Sequence, residues 1–188
     1  MRETKLIYVH DPMCSWCWGY RPTWLKLKDA LQHKIAIEYR VGGLAPDSQA
    51  PMPQAMQQML EKTWHTIAAQ LGTQFNFDFW RDCAPRRSTY PACRAALIAR
   101  KYNKEPQMIL AIQQAYYLEA QNPSNSSTLI ALAEQIGLDK THFSRALHAT
   151  DVNNELIDEL NYVRSLPIQG FPSLVLIHQQ HASPIAIN

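Results

Sequence analysis

Lys5-Leu6-Ile7-Tyr8-Val9-His10-Asp11-Pro12-Met13-Cys14-Ser15-Trp16-Cys17 is the stretch whose reading decides the fold. Lys5 to Val9 is short and rich in β-formers, which predicts a buried first strand. Asp11-Pro12 ends it, and Cys14 opens a helix predicted to run to about Leu31. Two cysteines separated by two residues, placed where a strand turns into a helix, suit thiol–disulfide exchange. The first would lie at the helix N-terminus, where unpaired N–H groups and the helix dipole favour an anion. The second, one turn further in, would be less exposed and better placed to resolve a mixed disulfide than to start one. The same spacing is half of a zinc site, so the pair alone leaves both chemistries open.

The rest of the chain narrows the choice. Its 188 residues suffice for a buried core, and 46% hydrophobic residues fit a globular domain. A net charge of +2, with no basic run beyond Arg86-Arg87, argues against a nucleic-acid footprint. No apolar stretch is long enough to span a bilayer, and Met1-Arg2-Glu3-Thr4-Lys5 leads into no signal-peptide apolar region. The expected location is therefore cytoplasmic, with a mature periplasmic fragment as the alternative. Four cysteines do not make a disulfide scaffold at this length. Cys93, in an apolar helical run, reads as a core thiol, and Cys83 falls in a polar loop.

Ile35 to Val41 alternates as a half-buried strand and Gly42-Gly43 stops it. Strand character then vanishes for most of the chain. Helices are predicted over Gln54–Leu71, Ala92–Tyr102, Gln107–Glu119, Ser127–Ile136, Thr141–His148 and Asn153–Ser165, with Thr73–Thr89 a loop. Strands return at Leu174–Ile177 and Pro184–Ile187, just after Gly170-Phe171-Pro172. A proline there cannot donate to a ladder, and a cis bond would make a tight backbone feature.

Asp11-Pro12-Met13-Cys14-Ser15-Trp16-Cys17-Trp18-Gly19, Gly42-Gly43-Leu44, Pro91-Ala92-Cys93-Arg94-Ala95, Ala115-Tyr116-Tyr117 and Gly170-Phe171-Pro172-Ser173-Leu174 occur in that order. In this the chain resembles the DsbA-like thioredoxin-fold oxidoreductases, in particular their FrnE-type branch of dithiol–disulfide isomerases. The resemblance implies an α/β thioredoxin fold with a large all-helical insertion between the second and third strands. Residues 1–45 and 167–188 would form the thioredoxin-like domain, and residues 46–166 the inserted helical domain. It implies Cys14 as the attacking thiol, Cys17 as the resolving thiol, and Pro172 as the cis-proline preceded by Phe171. Substrates would be protein or peptide disulfides or thiols, with glutathione as a further candidate, and no metal or other cofactor is called for.

Trp16 is expected to offer an exposed apolar platform, while Trp18 packs inward. The Phe171 backbone suits strand addition by an extended substrate. His10 and Asp11 are candidates for tuning the thiols or simply for ending the strand. Arg81, Arg86 and Arg87 form a basic cluster, either a substrate lip or a solvated loop. Two alternatives remain: a glutathione-dependent kappa-type transferase or isomerase, whose sites use serine where this chain has a C-x-x-C, and a zinc-binding interaction module, which needs two further ligands. Family members usually add a helix after the final hairpin. Its absence here leaves an apolar sheet face expected to meet a partner chain, as in a homo-oligomer, or to mark a truncation.

Overall fold

The computed structural model describes residues 4–187. Four strands form one mixed sheet in the order β2-β1-β3-β4, with β1 Lys5–His10, β2 Ala36–Val41, β3 Ser173–His178 and β4 His181–Ile185. β1 pairs parallel with β2 and antiparallel with β3, and β3 pairs antiparallel with β4. The β1–β2 crossover is α1, Ser15–Leu31. Seven helices lie between β2 and β3: α2 Gln54–Leu71, α3 Asp78–Asp82, α4 Tyr90–Arg100, α5 Glu105–Tyr117, α6 Ser126–Gln135, α7 Lys140–Leu147 and α8 Thr150–Arg164. This is a thioredoxin fold with a helical insertion, as the sequence implies.

The sheet is buried by strand alternation. Leu6, Tyr8 and Leu174 point to the α1 side, where the Trp24 ring stacks on Tyr8 at 4.1 Å between centroids. Ile7, Val9 and Val175 point to the other side, where Val163 of α8 and Leu166 just beyond it cover them. The central strand β1 is thus apolar on both faces, as a strand packed between two helical layers must be. On the α1 side of the β3–β4 hairpin, Ile185 is 41% exposed, and Ile187 packs on the edge of that cluster.

The inserted helices are held to the sheet in two ways. Val41 of β2 packs with Cys93 and Leu97 of α4 and Leu156 and Leu160 of α8. Beside this contact the buried Glu159 carboxylate accepts from the Val41 N–H, Arg40 and Arg100, and Arg100 also donates to Glu105. The burial is tolerated because each carboxylate faces a guanidinium with matched donors.

Three local features differ from the sequence expectation. The Thr73–Thr89 loop contains the five-residue α3, too short to show a helical period. The last strand starts at His181 rather than Pro184, because Gln179 and Gln180 both adopt left-handed backbone (φ 52° and 67°) and close a two-residue hairpin. Such turns normally announce themselves by Asn or Gly. Pro184 then falls inside β4, tolerable because β4 is the edge strand.

Candidate active site

The C-x-x-C pair lies at the carboxyl end of the central strand. Cys14 is the N-cap of α1, in extended backbone, with its N–H on the Asp11 carbonyl and its C=O receiving the Trp18 N–H. The Cys14 thiol lies 3.5 Å from the Phe171 carbonyl, and the Phe171–Pro172 peptide bond is cis. Residues 157 positions apart in sequence are therefore brought together by the β1–β3 pairing, which sets Val9 opposite Ser173. Cys17, one turn into α1, is completely buried, whereas Cys14 keeps 6% exposure. Burial pushes the Cys17 thiol well above its ordinary pKa, and the neighbouring Cys14 adds to this. Cys17 is thus held protonated until a reaction at Cys14 changes its surroundings.

The loop between β1 and α1 and the proline loop facing it are braced in three ways. Asp11, fully buried, accepts at one carboxylate oxygen from the Met13 N–H, 2.8 Å. At the other oxygen it accepts from the Leu44 N–H at 2.8 Å, the Thr89 hydroxyl at 2.7 Å and the Cys93 thiol at 3.6 Å. Burial raises the Asp11 pKa, and these donors offset part of the rise. The Tyr117 hydroxyl donates to the Met13 carbonyl at 2.7 Å, and Trp18 stacks on the Tyr117 ring. The third brace is steric. A Cβ on Gly42 would come within 2.1 Å of the Phe171 ring, so the end of β2 must be glycine for the proline loop to sit against it.

His10 behaves otherwise than a tuning cation should. It is fully buried among aromatic rings, with neither ring nitrogen hydrogen-bonded. Burial, followed by the charge of Arg100, lowers its pKa to about 3. The ring is neutral at ordinary pH and lends the thiols no positive charge. This has a consequence for stability. The unfolded chain takes up a proton near pH 6.5 that the folded state refuses until about pH 3. His10 therefore carries no proton-linked cost above pH 6.5, and stability is lost as pH falls through that window, at about 1.4 kcal/mol per pH unit. In histidine-selective NMR its ring is expected to show no titration between pH 5 and 8; a titration near pH 6.5 would contradict the burial.

Cys14 opens into a cavity of about 220 Å³ whose walls include Trp16, Leu44, Trp64, Arg86, Arg87 and Phe171. Trp16 is 39% exposed at its rim, while Trp18 is half-buried, its indole N–H on the Gln74 carbonyl. Arg81 is not part of this wall; it is exposed and paired with Asp78 and Asp82. Cys93 is a core thiol, as expected, but one attached to Asp11. Cys83 is half-buried, with its thiol on the Ala120 carbonyl. Among the described residues no three His, Cys, Asp or Glu side chains gather as a metal-binding group.

The fold is matched at the level of sequence. The thioredoxin family's sequence profile aligns with residues 7–186. The chain belongs to the thioredoxin family. Among solved structures it is similar to a Nitrosomonas europaea protein put forward as a protein disulfide isomerase, with TM-score 0.82, 23% identity, and 98% of this chain and 89% of that one covered. It is also similar to the cytosolic disulfide reductase DsbM of Pseudomonas aeruginosa, with TM-score 0.80, 22% identity, and coverage of 97% and 89%. DsbM has also been solved with glutathione. Among curated sequences, the ClpXP adapter protein SpxH of Bacillus subtilis is 23% identical over 174 residues. That match covers 91% of this chain but 57% of SpxH, so the chain spans under two thirds of that relative's length. These likenesses are at the level of the DsbA-like thioredoxin fold.

Several residues of the site carried no role in the sequence reading. Leu44 and Tyr117 lie in stretches that carry the resemblance but had no role there, Thr89 carries no signal of its own, and only the fold brings the three to the Cys14 loop.

Proposed function

We propose that this thioredoxin-family chain is a thiol–disulfide oxidoreductase that works through a Cys14–Cys17 redox pair, of the FrnE-type branch and cytoplasmic. The observation that carries this is the placement of the two thiols. Cys14 caps a helix N-terminus at the floor of a cavity, 3.5 Å from the backbone before Pro172, while Cys17 sits buried behind it. Cys14 attacks a substrate disulfide, forming a mixed disulfide and releasing one substrate thiolate. Cys17 gives up its proton and attacks the Cys14 sulfur, releasing the second substrate thiol and leaving a Cys14–Cys17 disulfide. The reverse sequence oxidises a dithiol.

The Phe171 backbone and Trp16 supply a platform for the peptide flanking the substrate cysteine. Asp11 acts as a positioning residue, tying the Cys14 loop to the Gly43–Leu44 turn and to α4. Residues 46–166 form the inserted helical domain, docked on the thioredoxin-like sheet through α4 and α8.

The test is exchange with a disulfide substrate in the presence of a metal chelator. The reduced protein is expected to reduce insulin disulfides catalytically when dithiothreitol is present. Absence of exchange with any disulfide, or one zinc bound per reduced chain, would overturn the reading. A requirement for glutathione in a transfer to a non-disulfide electrophile would favour the kappa-type alternative.

A further inference from the structure

The charge of the Cys14 cavity is one-sided. Its charged wall residues are Arg86 and Arg87, and no Asp or Glu lines it. Of the three arginines in the basic cluster, Arg81 is neutralised by Asp78 and Asp82 outside the cavity. Arg86 donates one terminal N–H to the Ser124 carbonyl at 2.6 Å, which anchors its stem, while its Nε is buried with no partner. Arg87 has no carboxylate partner among the described residues, and its charge acts on the hydroxyl of Tyr116, itself a buried wall residue. A buried guanidinium N–H left without an acceptor is costly unless something else meets it. Planar N–H forks are suited to carboxylates, which they bind in a bidentate manner.

We infer that Arg86 and Arg87 form a carboxylate-binding subsite, so that the Cys14 pocket accepts small thiols and disulfides bearing free carboxylates. The inference rests on Cys14 being the reactive thiol. The cavity, at about 220 Å³, lies below the roughly 300–1,000 Å³ of ordinary ligand pockets. Its size suits a thiol of a few residues, and Met52, Leu60 and Trp64 add an apolar wall. In the step this serves, the thiolate of one carboxylate-bearing thiol attacks Cys14 of the Cys14–Cys17 disulfide. The protein disulfide breaks, Cys17 leaves and takes up a proton, and a mixed disulfide joins Cys14 to the small thiol. A second molecule of the thiol then attacks that mixed disulfide. Two small thiols become one small disulfide, the protein gains two electrons, and both protons released by the thiols end on Cys14 and Cys17.

The experiment compares glutathione with its neutralised diethyl ester as reductant of the oxidised protein, reading Cys14–Cys17 opening by stopped-flow tryptophan fluorescence. Esterification also alters thiol acidity, so the quantity read is the ratio of the two rate constants in each protein. Arg87→Gln is expected to lower the glutathione-to-diester ratio about tenfold, and Arg86→Gln to lower it in the same direction. Arg81→Gln, outside the cavity, is expected to keep the wild-type ratio. High salt should compress the wild-type ratio toward that of Arg87→Gln. An unchanged ratio in both Arg86→Gln and Arg87→Gln, with circular dichroism showing both folded, overturns the subsite. A protein that opens with neither reductant instead refutes the redox reading on which the subsite rests.

Discussion

Cys17→Ser is expected to stall the reaction at a covalent complex joining Cys14 to its substrate, whereas Cys14→Ser is expected to be inert. The asymmetry follows from position. Cys14 faces the cavity and Cys17 is fully buried behind it, so an incoming disulfide meets Cys14 first. Once Cys14 is in a mixed disulfide, the resolving attack must come from the one buried thiol a helical turn away. Without it, release depends on external thiols and slows to the uncatalysed exchange. Non-reducing electrophoresis and mass spectrometry after mixing with a disulfide peptide would read this directly. Turnover of Cys14→Ser in the insulin assay is expected at background. Adducts on Cys83 in Cys17→Ser, or activity in Cys14→Ser, would assign the chemistry elsewhere.

Gly42→Ala is expected to damage the same site from the opposite side without touching a thiol. The added Cβ would lie 2.1 Å from two ring carbons of Phe171, so the ring and its loop must move. Overpacking of this kind costs about 1–3 kcal/mol. The larger effect falls on activity, because the Phe171 carbonyl beside Cys14 moves with the ring. A displacement of about 1 Å at a reacting centre can cost roughly 10²-fold, and a loss of tenfold to a hundredfold is expected here. A double-mutant cycle isolates the cause. In a Phe171→Ala background the ring is gone, and the stability cost of Gly42→Ala is expected to vanish. If the two penalties simply add, the clash is not the reason glycine stands there.

How much of this was legible in the sequence depends on how far apart the cooperating residues lie. β1 and the start of α1 were readable because a β-rich run, Asp11-Pro12 and the C-x-x-C succeed one another within thirteen residues, 5–17. α2 has the predicted bounds, Gln54–Leu71, because Pro53 and the left-handed Gly72 punctuate its ends. The hairpin was misplaced because Gln179-Gln180 carries no turn signature, and α3 was missed because five residues do not establish a period.

At the site, the two thiols and the Phe171-Pro172 loop could be named from order and motif. The bracing could not. Asp11 gathers donors from Leu44, Thr89 and Cys93, none adjacent to it in sequence, and in a linear reading it only ends a strand. Gly42 likewise reads as a strand stop, whereas its reason is a ring 129 positions away. His10 lies near the thiols in sequence, where tuning and strand ending were both open readings, and burial holds its ring neutral. Of three neighbouring arginines, Arg81 is neutralised by two aspartates, and only the fold separates it from the pair at the cavity wall.

The proposed chemistry requires Cys14 and Cys17 to be one reversible redox couple. Its most direct test is to equilibrate the protein across a series of thiol–disulfide redox buffers, quench with acid, alkylate the free thiols and map the peptides by mass spectrometry. A single two-electron transition is expected, in which Cys14 and Cys17 become linked together and reopen on reduction, while Cys83 and Cys93 stay alkylatable throughout. A chain that shows no linkage at any potential, or whose disulfide involves Cys83 or Cys93, would contradict it.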